Sequence, residues 1–192
     1  ITAPVSADNR VYDGTTAPTG SVSLTAVGAG DDVSATGGTF TFVSPDAGVQ
    51  AVNVGGVSLA GADAGNYTLT LPGSVVAEIL RRAITVTADP QTRAEGQNDP
   101  ALTYTLTSGS LVAGDSLTGS LTRAPGEAPG SYAIGQGTLD ASSNYQLTFV
   151  GSTLVIVPAP AEPAPVVTTP AGLDAFLTHP VGLAAPEGRA PV

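Results

Sequence analysis

The sequence contains NYTLT at residues 66–70 and NYQLTF at residues 144–149, two versions of one stretch. In both, large apolar residues alternate with Thr or Gln, which is the period-two pattern of a strand with one face in a core and the other in water. A second apolar strand follows each copy, at residues 74–80 and 152–157. Self-similarity at this spacing predicts an array of β modules.

Other segments recur in the same order and divide the chain into three parts. We expect a first module at residues 1–82, a second module at 83–158 and a tail at 159–192. Modules of this size have small cores, and neighbours can share stability. Because only Arg81-Arg82 stands at the join, the connection should be stiff. The recurring pairs are Ile1-Thr2 with Ile84-Thr85, Ala7-Asp8 with Ala88-Asp89, and Gly30-Asp31 with Gly114-Asp115.

The rest of both modules also has strand character. Residues 39–42 and 102–107 alternate in the same way, and Gly-Gly and Pro-Gly pairs mark turns between the strands. Helix signals are scarce. The sequence therefore predicts an all-β fold of two tandem small β-sandwich modules, immunoglobulin-like or β-grasp-like, since strand order is not readable from one sequence.

The tail, residues 159–192, is rich in Pro and Ala, and we expect it to be extended. Residues 171–179 are the exception, because Leu173, Phe176 and Leu177 have helical spacing. This short helix is either a transient turn or an apolar segment that docks on a partner or on the second module. At a natural C-terminus, the tail would be a candidate contact for an outer-membrane exporter.

Composition excludes several function classes. The net charge is -10, with no Lys, which argues against nucleic acid because phosphate binding needs clustered cations. The chain has no Cys, so it has neither disulfides nor thiolate chemistry. It also has no Met, which indicates a processed product or a fragment of a longer protein. No apolar run approaches the roughly 20 residues of a membrane span.

We expect no enzyme activity, no catalytic residues and no cofactor. The only His is His179, in the tail, where no rigid scaffold would position it for a Ser-His-Asp arrangement. The carboxylates lie in turns, where solvated acids are the usual interpretation. Calcium is the alternative, since it binds loop carboxylates, and the first candidates are Asp31, Asp32 and Asp63.

The Tyr12-Asp13-Gly14 triplet has a local structural explanation. Tyr12 can pack at a strand end, Asp13 can cap the turn and Gly14 can take a positive φ. The alternative is a ligand contact through Tyr12 and Asp13.

Residues 11–16, VYDGTT, resemble the signature of the bacterial YDG domain. The second module is similar to the companion MBG domain, except that Ala94-Glu95-Gly96 stands where a Tyr-Gly pair is common. The resemblance covers about residues 1 to 158. Its other matching stretches are 30–33, 46–48 and 59–67 in the first module, and 99–104, 109–119, 130–134 and 143–149 in the second.

This resemblance implies tandem arrays in secreted, surface-located exoproteins of filamentous-haemagglutinin type, exported by two-partner or similar systems, with adhesion or biofilm roles. Two function classes follow. One is a structural stalk that spaces or presents an adhesive region, and the other is a fibre subunit that polymerises by strand addition or donation. A ligand-binding tip is a third. The expected partners are neighbouring modules, other copies of the chain, or a host, matrix or cell-surface ligand.

Overall fold

The structure, a computed structural model, describes residues 1–162. Residues Ile1–Ala159 form one compact unit. Strands dominate the described residues, whose only helical segment is the 3-10 turn Ala64–Asn66, and this confirms the predicted all-β fold. The expected helix at 171–179, His179 and the exporter contact of the tail lie outside the described residues.

Six strands lie in the first module and seven in the second. Strand β6 ends at Leu80 and β7 begins at Arg82, so Arg81 alone separates the strands of the two modules. Arg82, which the predicted boundaries place at the end of the first module, is the first residue of β7. The strands of the first module are β1 Val5–Ala7, β2 Arg10–Val11, β3 Gly20–Val22, β4 Ser34–Phe42, β5 Gly48–Ala60 and β6 Val75–Leu80. Those of the second are β7 Arg82–Ala88, β8 Gln91–Ala94, β9 Tyr104–Ser108, β10 Thr122–Arg123, β11 Gly130–Gly135, β12 Tyr145–Val150 and β13 Ser152–Val157.

Each module has two sheets, and the larger sheets have the same strand order. The larger sheet runs β2-β6-β5-β4 in the first module and β8-β13-β11-β10 in the second. In both, the outer pair is parallel and the next is antiparallel. The smaller sheets are β1-β3 and β12-β7-β9. The parallel β7–β12 pair has its counterpart in a parallel bridge between Thr2 and Thr70.

The strand registers give a residue-by-residue equivalence of the modules. Ile79 of β6 and Ile156 of β13 occupy the same place, because each has an Arg opposite it on the parallel side and a Gly on the antiparallel side. The opposed residues are Arg10 and Gly48 in the first module, and Arg93 and Gly130 in the second. The sequence repeat is therefore a structural repeat.

The two sheets of the second module enclose a core. Val86 of β7, Ile134 of β11 and Leu154 of β13 are each no more than 1% exposed and pack in one cluster. Along β13, Leu154 and Ile156 point into this cluster, while Val155 and Val157 face outward. Period two thus has the meaning that the sequence predicts in β13, where alternate residues are buried. The same alternation at residues 67–70 does not form the predicted strand, because only Thr70 pairs there, in a single bridge to Thr2.

The core of the first module extends across the join. Phe42, Val52 and Ile79 pack in one cluster with Ile84 and Tyr145, which belong to the second module. The second module has a core of its own, as expected, whereas the first module completes its core with residues of its neighbour. Hydrophobic burial therefore couples the two modules directly.

Leu154→Ala should test the sandwich. Leu154 is fully buried between the sheets, so its truncation removes apolar contacts and leaves a cavity, which costs about 2–5 kcal/mol of unfolding free energy. The matched control is Val155→Ala, one residue away on the outer face. This control should change the unfolding free energy by no more than about 0.5 kcal/mol. Urea unfolding followed by circular dichroism measures both, and equal losses would contradict the assigned strand faces.

Candidate functional site

Tyr12 lies at the join of the two modules. It follows β2, its backbone N–H donates to the Leu80 carbonyl at 2.9 Å, and its side chain is 6% exposed. The Tyr12 hydroxyl donates to Asp115 Oδ2 at 3.0 Å, across the join. The Tyr12 ring meets the Tyr145 ring edge to face, with centroids 5.5 Å apart and planes at 77°. Such aromatic pairs add stability beyond the area that they bury.

The Asp115 carboxylate accepts from both tyrosines. Tyr145 donates its hydroxyl to the same Oδ2 atom at 2.6 Å, and Val112 N donates to the Tyr145 oxygen at 2.8 Å. The pKa values of Tyr12 and Tyr145 are raised above their ordinary value, first by burial and then by the hydrogen bond to Asp115. Both phenols are therefore held in their neutral, donating form.

Asn144 makes a second contact across the join. Its side chain bridges the turn between β4 and β5, where Oδ1 accepts from Ala47 N at 2.8 Å and Nδ2 donates to Asp46 Oδ1 at 3.1 Å. The Asn144 amide, followed by the Ser44 hydroxyl, lowers the pKa of Asp46. Asn144 is only 8% exposed, so this amide is satisfied by the neighbouring module instead of by water.

Arg82 supports the strand end that carries Tyr12. Its Nε donates to the Ser110 carbonyl at 2.7 Å and one Nη to Ser110 Oγ at 2.6 Å. The other Nη donates to the Tyr12 carbonyl at 3.3 Å. The guanidinium thus bonds both to Ser110, in a loop of the second module, and to the Tyr12 carbonyl of the first module.

The Tyr12-Asp13-Gly14 turn has the local structure that the sequence predicts. Asp13 Oδ1 accepts from Thr15 N and Thr15 Oγ1, each at 2.9 Å, and its other oxygen pairs with Arg10. Gly14 has φ +78° and approaches Val112 so closely that a Cβ atom would lie 3.0 Å from Val112 Cγ1. Tyr12 packs at the strand end as expected, but its partners belong to the second module.

The three calcium candidates stabilise loops of the first module. Asp63 Oδ2 accepts from Asp32 N at 2.9 Å, Asp32 Oδ2 accepts from Ala62 N at 3.2 Å, and Asp31 Oδ2 accepts from the Tyr67 hydroxyl. Within residues 1–162, no three metal-ligating side chains lie close enough together to hold an ion. Each carboxylate has a hydrogen-bonding role in a turn, and the three do not form a common site.

A closed ring of ion pairs lies in the second module. Asp99 bridges Arg93 Nε at 2.6 Å and Arg123 Nε at 2.5 Å, and Glu127 pairs with the same two guanidiniums, 2.6 Å from an Nη of Arg123. Arg123 also lies over the Tyr132 ring, 5.5 Å from its centroid. The ring joins two cations and two anions, so its charges are neutralised internally and it offers no net charge to a ligand.

The described residues include a small cleft in the first module. One cleft, lined by residues 52–54 and 71–75, encloses about 170 Å³, which is small for a ligand pocket. No buried side-chain polar atom between residues 1 and 162 lacks a hydrogen-bond partner. Over the same residues, no helix is long and apolar enough to cross a membrane. The join, in contrast, combines a buried aromatic pair, a carboxylate that accepts from both rings and an amide that bridges the boundary, and these contacts hold one β module against the other.

Sequence reasoning identified the elements of the join but not their contact. The repeated Gly-Asp and Asn-Tyr pairs contain Asp115, Asn144 and Tyr145, and nothing local says that they meet the strand end at Tyr12. The signal was the repetition of polar pairs at strand and turn ends, where packing alone does not require them. The ion-pair ring was missed altogether, because Arg93 and Arg123 stand in unrelated stretches.

Tyr12→Phe should weaken the join by removing the hydroxyl that Asp115 accepts. Hydrogen bonds to charged groups contribute about 1.5–3 kcal/mol, and we expect a loss in that range from the unfolding free energy. The matched control is Tyr67→Phe, which removes an equivalent bond to Asp31 at a more exposed position and should cost less. Equal losses, measured by urea unfolding, would contradict the role of the join.

The raised tyrosine pKa values also give this variant a pH signature. A raised pKa means that the stabilisation is complete below the ordinary value of 10.0 and is lost as the pH rises through the folded-state values. Stability should therefore fall in alkali, and less steeply in Tyr12→Phe. An unchanged slope would show that Tyr12 ionisation is not linked to folding.

The ion-pair ring predicts a loss of stability in acid. The pKa of Asp99 is lowered from 3.8, mainly by the Arg123 hydrogen bond, and the pKa of Glu127 is lowered from 4.5 by the same guanidinium. Lowered values stabilise the fold above the ordinary pKa, and this stabilisation disappears as the pH falls through the folded-state values. Asp99→Asn should reduce stability at pH 7 and flatten the loss below about pH 4, in thermal melts. Glu78→Gln, on the exposed face of β6, is the control and should retain the wild-type acid profile.

Comparison with known families agrees with this division of the chain. Residues 1–74 match the family model described as YDG domain, and residues 84–155 match the one described as MBG domain (YGX type). Searches of curated proteins and of solved structures give no match. The two matched segments lie on either side of the join at Arg81. The chain therefore carries a YDG domain and an MBG domain of the YGX type in tandem.

Proposed function

We propose that this chain is a structural module pair in the stalk of a secreted bacterial surface protein, where it spaces or presents an adhesive region. The observation that carries the proposal is the join. One residue, Arg81, separates strands of the two modules, and Tyr12, Asp115, Asn144 and Arg82 bond across the boundary. A spacer must hold its modules in a fixed relation, and a short join with a shared core resists bending at the boundary.

The polar contacts of the join suit this role better than an apolar interface would. Hydrogen bonds to Asp115 and Asn144 have defined directions, so they specify one orientation of the modules, whereas apolar burial alone is non-directional. Burial of Tyr12, Tyr145 and Ile84 supplies the driving force. Together the two effects favour a single, fixed arrangement.

Domain content and charge support the extracellular setting. Tandem YDG and MBG domains are the modules that the resemblance associates with exported adhesins. The net charge of -10 favours solubility through self-repulsion, and the absence of Cys makes folding independent of the redox state. The proposal depends on the fixed relation of the two modules and includes no catalytic role.

A second candidate is a fibre subunit that grows by strand addition. Strand β4 lies at the edge of its sheet, where it pairs only with β5. Its nine residues, Ser34–Phe42, include no charged side chain. Uncharged edges of this length are templates for pairing with another strand, and proteins often protect such edges with charge.

Small-angle X-ray scattering with light scattering separates the two candidates. A stalk module should be a monomer whose scattering fits one fixed arrangement of the two modules. Tyr12→Ala should broaden the distance distribution, because it removes both the ring contact and the hydroxyl, whereas Val155→Ala should not. The fibre candidate predicts filaments instead, and these filaments should be lost in Thr39→Lys, which places a charge in the β4 edge.

Surface labelling tests the location. Antibodies against the two modules should bind intact cells of the producing bacterium, and external protease should remove the signal. A chain that is detected only after the cells are lysed would overturn the stalk proposal.

A further inference from the structure

The first module carries a second copy of the surface that binds Tyr12. In the second module, this receiving face consists of Asp115, Asn144 and Tyr145. The structural repeat places Asp31, Asn66 and Tyr67 at the same three positions of the first module. Their local hydrogen bonds are also the same: Tyr67 donates to Asp31, Gly28 N donates to the Tyr67 oxygen at 2.8 Å, and Asp31 N donates to the Gly28 carbonyl at 3.1 Å. In the second module, Tyr145 donates to Asp115 and Val112 N donates to the Tyr145 oxygen at 2.8 Å. Asp115 N donates to the Val112 carbonyl at 3.0 Å.

The two copies differ in burial. Asn144 is 8% and Tyr145 is 5% exposed, because the first module covers them. Asp31 and Asn66 are exposed, and Tyr67 is only half-buried. The same triad, with the same internal bonds, is thus a covered interface in one module and an open surface in the other. Asp31 and Asn66 carry the same carboxylate and amide oxygens with which Asp115 and Asn144 accept hydrogen bonds across the join.

The groups that dock on a receiving face come from the end of the larger sheet. In the first module they are the Tyr12 hydroxyl, the Asp46 carboxylate and the Ala47 N–H. The backbone places Glu95 where Tyr12 stands, since Tyr12 N donates to Leu80 at 2.9 Å and Glu95 N donates to Val157 at 2.8 Å. The equivalence of Gly48 and Gly130 then puts Ala128 and Pro129 in the places of Asp46 and Ala47.

The second module therefore lacks all three docking groups. Glu95 would bring a second carboxylate towards the acidic acceptor, Ala128 has no polar side chain, and Pro129 has no N–H to donate. The ion-pair ring of Arg93, Arg123, Asp99 and Glu127 lies in the same region of the module. The Glu95 end of the second module therefore does not fit the Asp31, Asn66 and Tyr67 surface of another copy. The partner of this surface must present a Tyr-Asp-Gly end.

We propose that Asp31, Asn66 and Tyr67 form a docking face for another β module that carries a Tyr-Asp-Gly strand end, placed before Ile1 in tandem. The Tyr hydroxyl of that module donates to Asp31, its ring packs against Tyr67, and the N–H of its Asp-Ala turn donates to Asn66. The inference rests on the proposed stalk function and gives it a direction, in which each Tyr-Asp-Gly end docks on the module that follows it.

An extended chain tests the proposal. Residues 1–83 are added in front of residues 1–192, so that Arg82-Ala83 of the added copy precedes Ile1 as Arg82-Ala83 precedes Ile84 in the native join. Amide hydrogen exchange at Gly28 should slow by about tenfold or more, towards the rate of its equivalent Val112, because docking covers the Tyr67–Asp31 pair. Val112 itself reports on the native join in the same experiment.

A matched control uses residues that the second module tolerates at the equivalent positions. The added copy carries Tyr12→Glu, Asp46→Ala and Ala47→Pro, and its own strand amides report that it is folded. Gly28 should then exchange as fast as in the unextended chain. Tyr12→Phe in the added copy keeps the ring that covers Tyr67 and Asp31 but removes the hydroxyl, so exchange at Gly28 should be only partly slowed.

The outcomes separate the two claims. Fast exchange at Gly28 with a protected Val112 would overturn the docking face and leave the native join intact. An added copy that stays unfolded beside a folded host would also overturn it, because the same module folds where a receiving face follows it. Fast exchange at both amides would contradict the rigid join and therefore the stalk proposal itself.

Discussion

The Asp115 carboxylate, which accepts hydrogen bonds from the hydroxyls of Tyr12 in one module and Tyr145 in the other, makes the contact on which this structure depends. Two phenol rings can be buried at a boundary only if their hydroxyls find partners there, and a single acidic oxygen serves both. The edge-to-face contact of the rings then closes the space between the modules. With the tyrosines in place, the core of the first module continues into Ile84, and the one-residue join becomes a packed boundary.

The second module shows how one fold can end in two different ways. Towards the first module it presents Asn144 and Asp115, whose bonding capacity is used by a neighbour. In the region equivalent to the Tyr12 end it has a neutral ring of ion pairs, in which Arg93 is almost fully buried and fully paired. The departure from the family pattern at Glu95 belongs to this difference.

Burial in a modular protein depends on neighbours as much as on local sequence. Asn66 and Asn144 lie in nearly identical stretches, and each precedes a tyrosine that donates to an Asp of its own module, yet one Asn is exposed and the other buried. Propensity and periodicity act over a few residues and treat the two alike. Only the presence of a packed module beside Asn144 distinguishes them. A surface that has the bonding pattern of an interface is therefore informative even where it is open to solvent.

The sequence by itself determined the all-β class, the two-fold repeat, the short join and the turn geometry of Tyr12-Asp13-Gly14. These features rest on period-two patterns, on glycine and on short-range hydrogen bonds, all of which act between near neighbours in the chain. Tertiary structure decided the parallel pairs β2–β6, β8–β13 and β7–β12. It also decided the ring of Arg93 and Arg123 and the contact between Tyr12 and Asp115. Tyr12 and Asp115 are 103 residues apart, and they meet because the two modules pack against each other around a shared core. No local pattern encodes that distance, since it is fixed by strand order and packing.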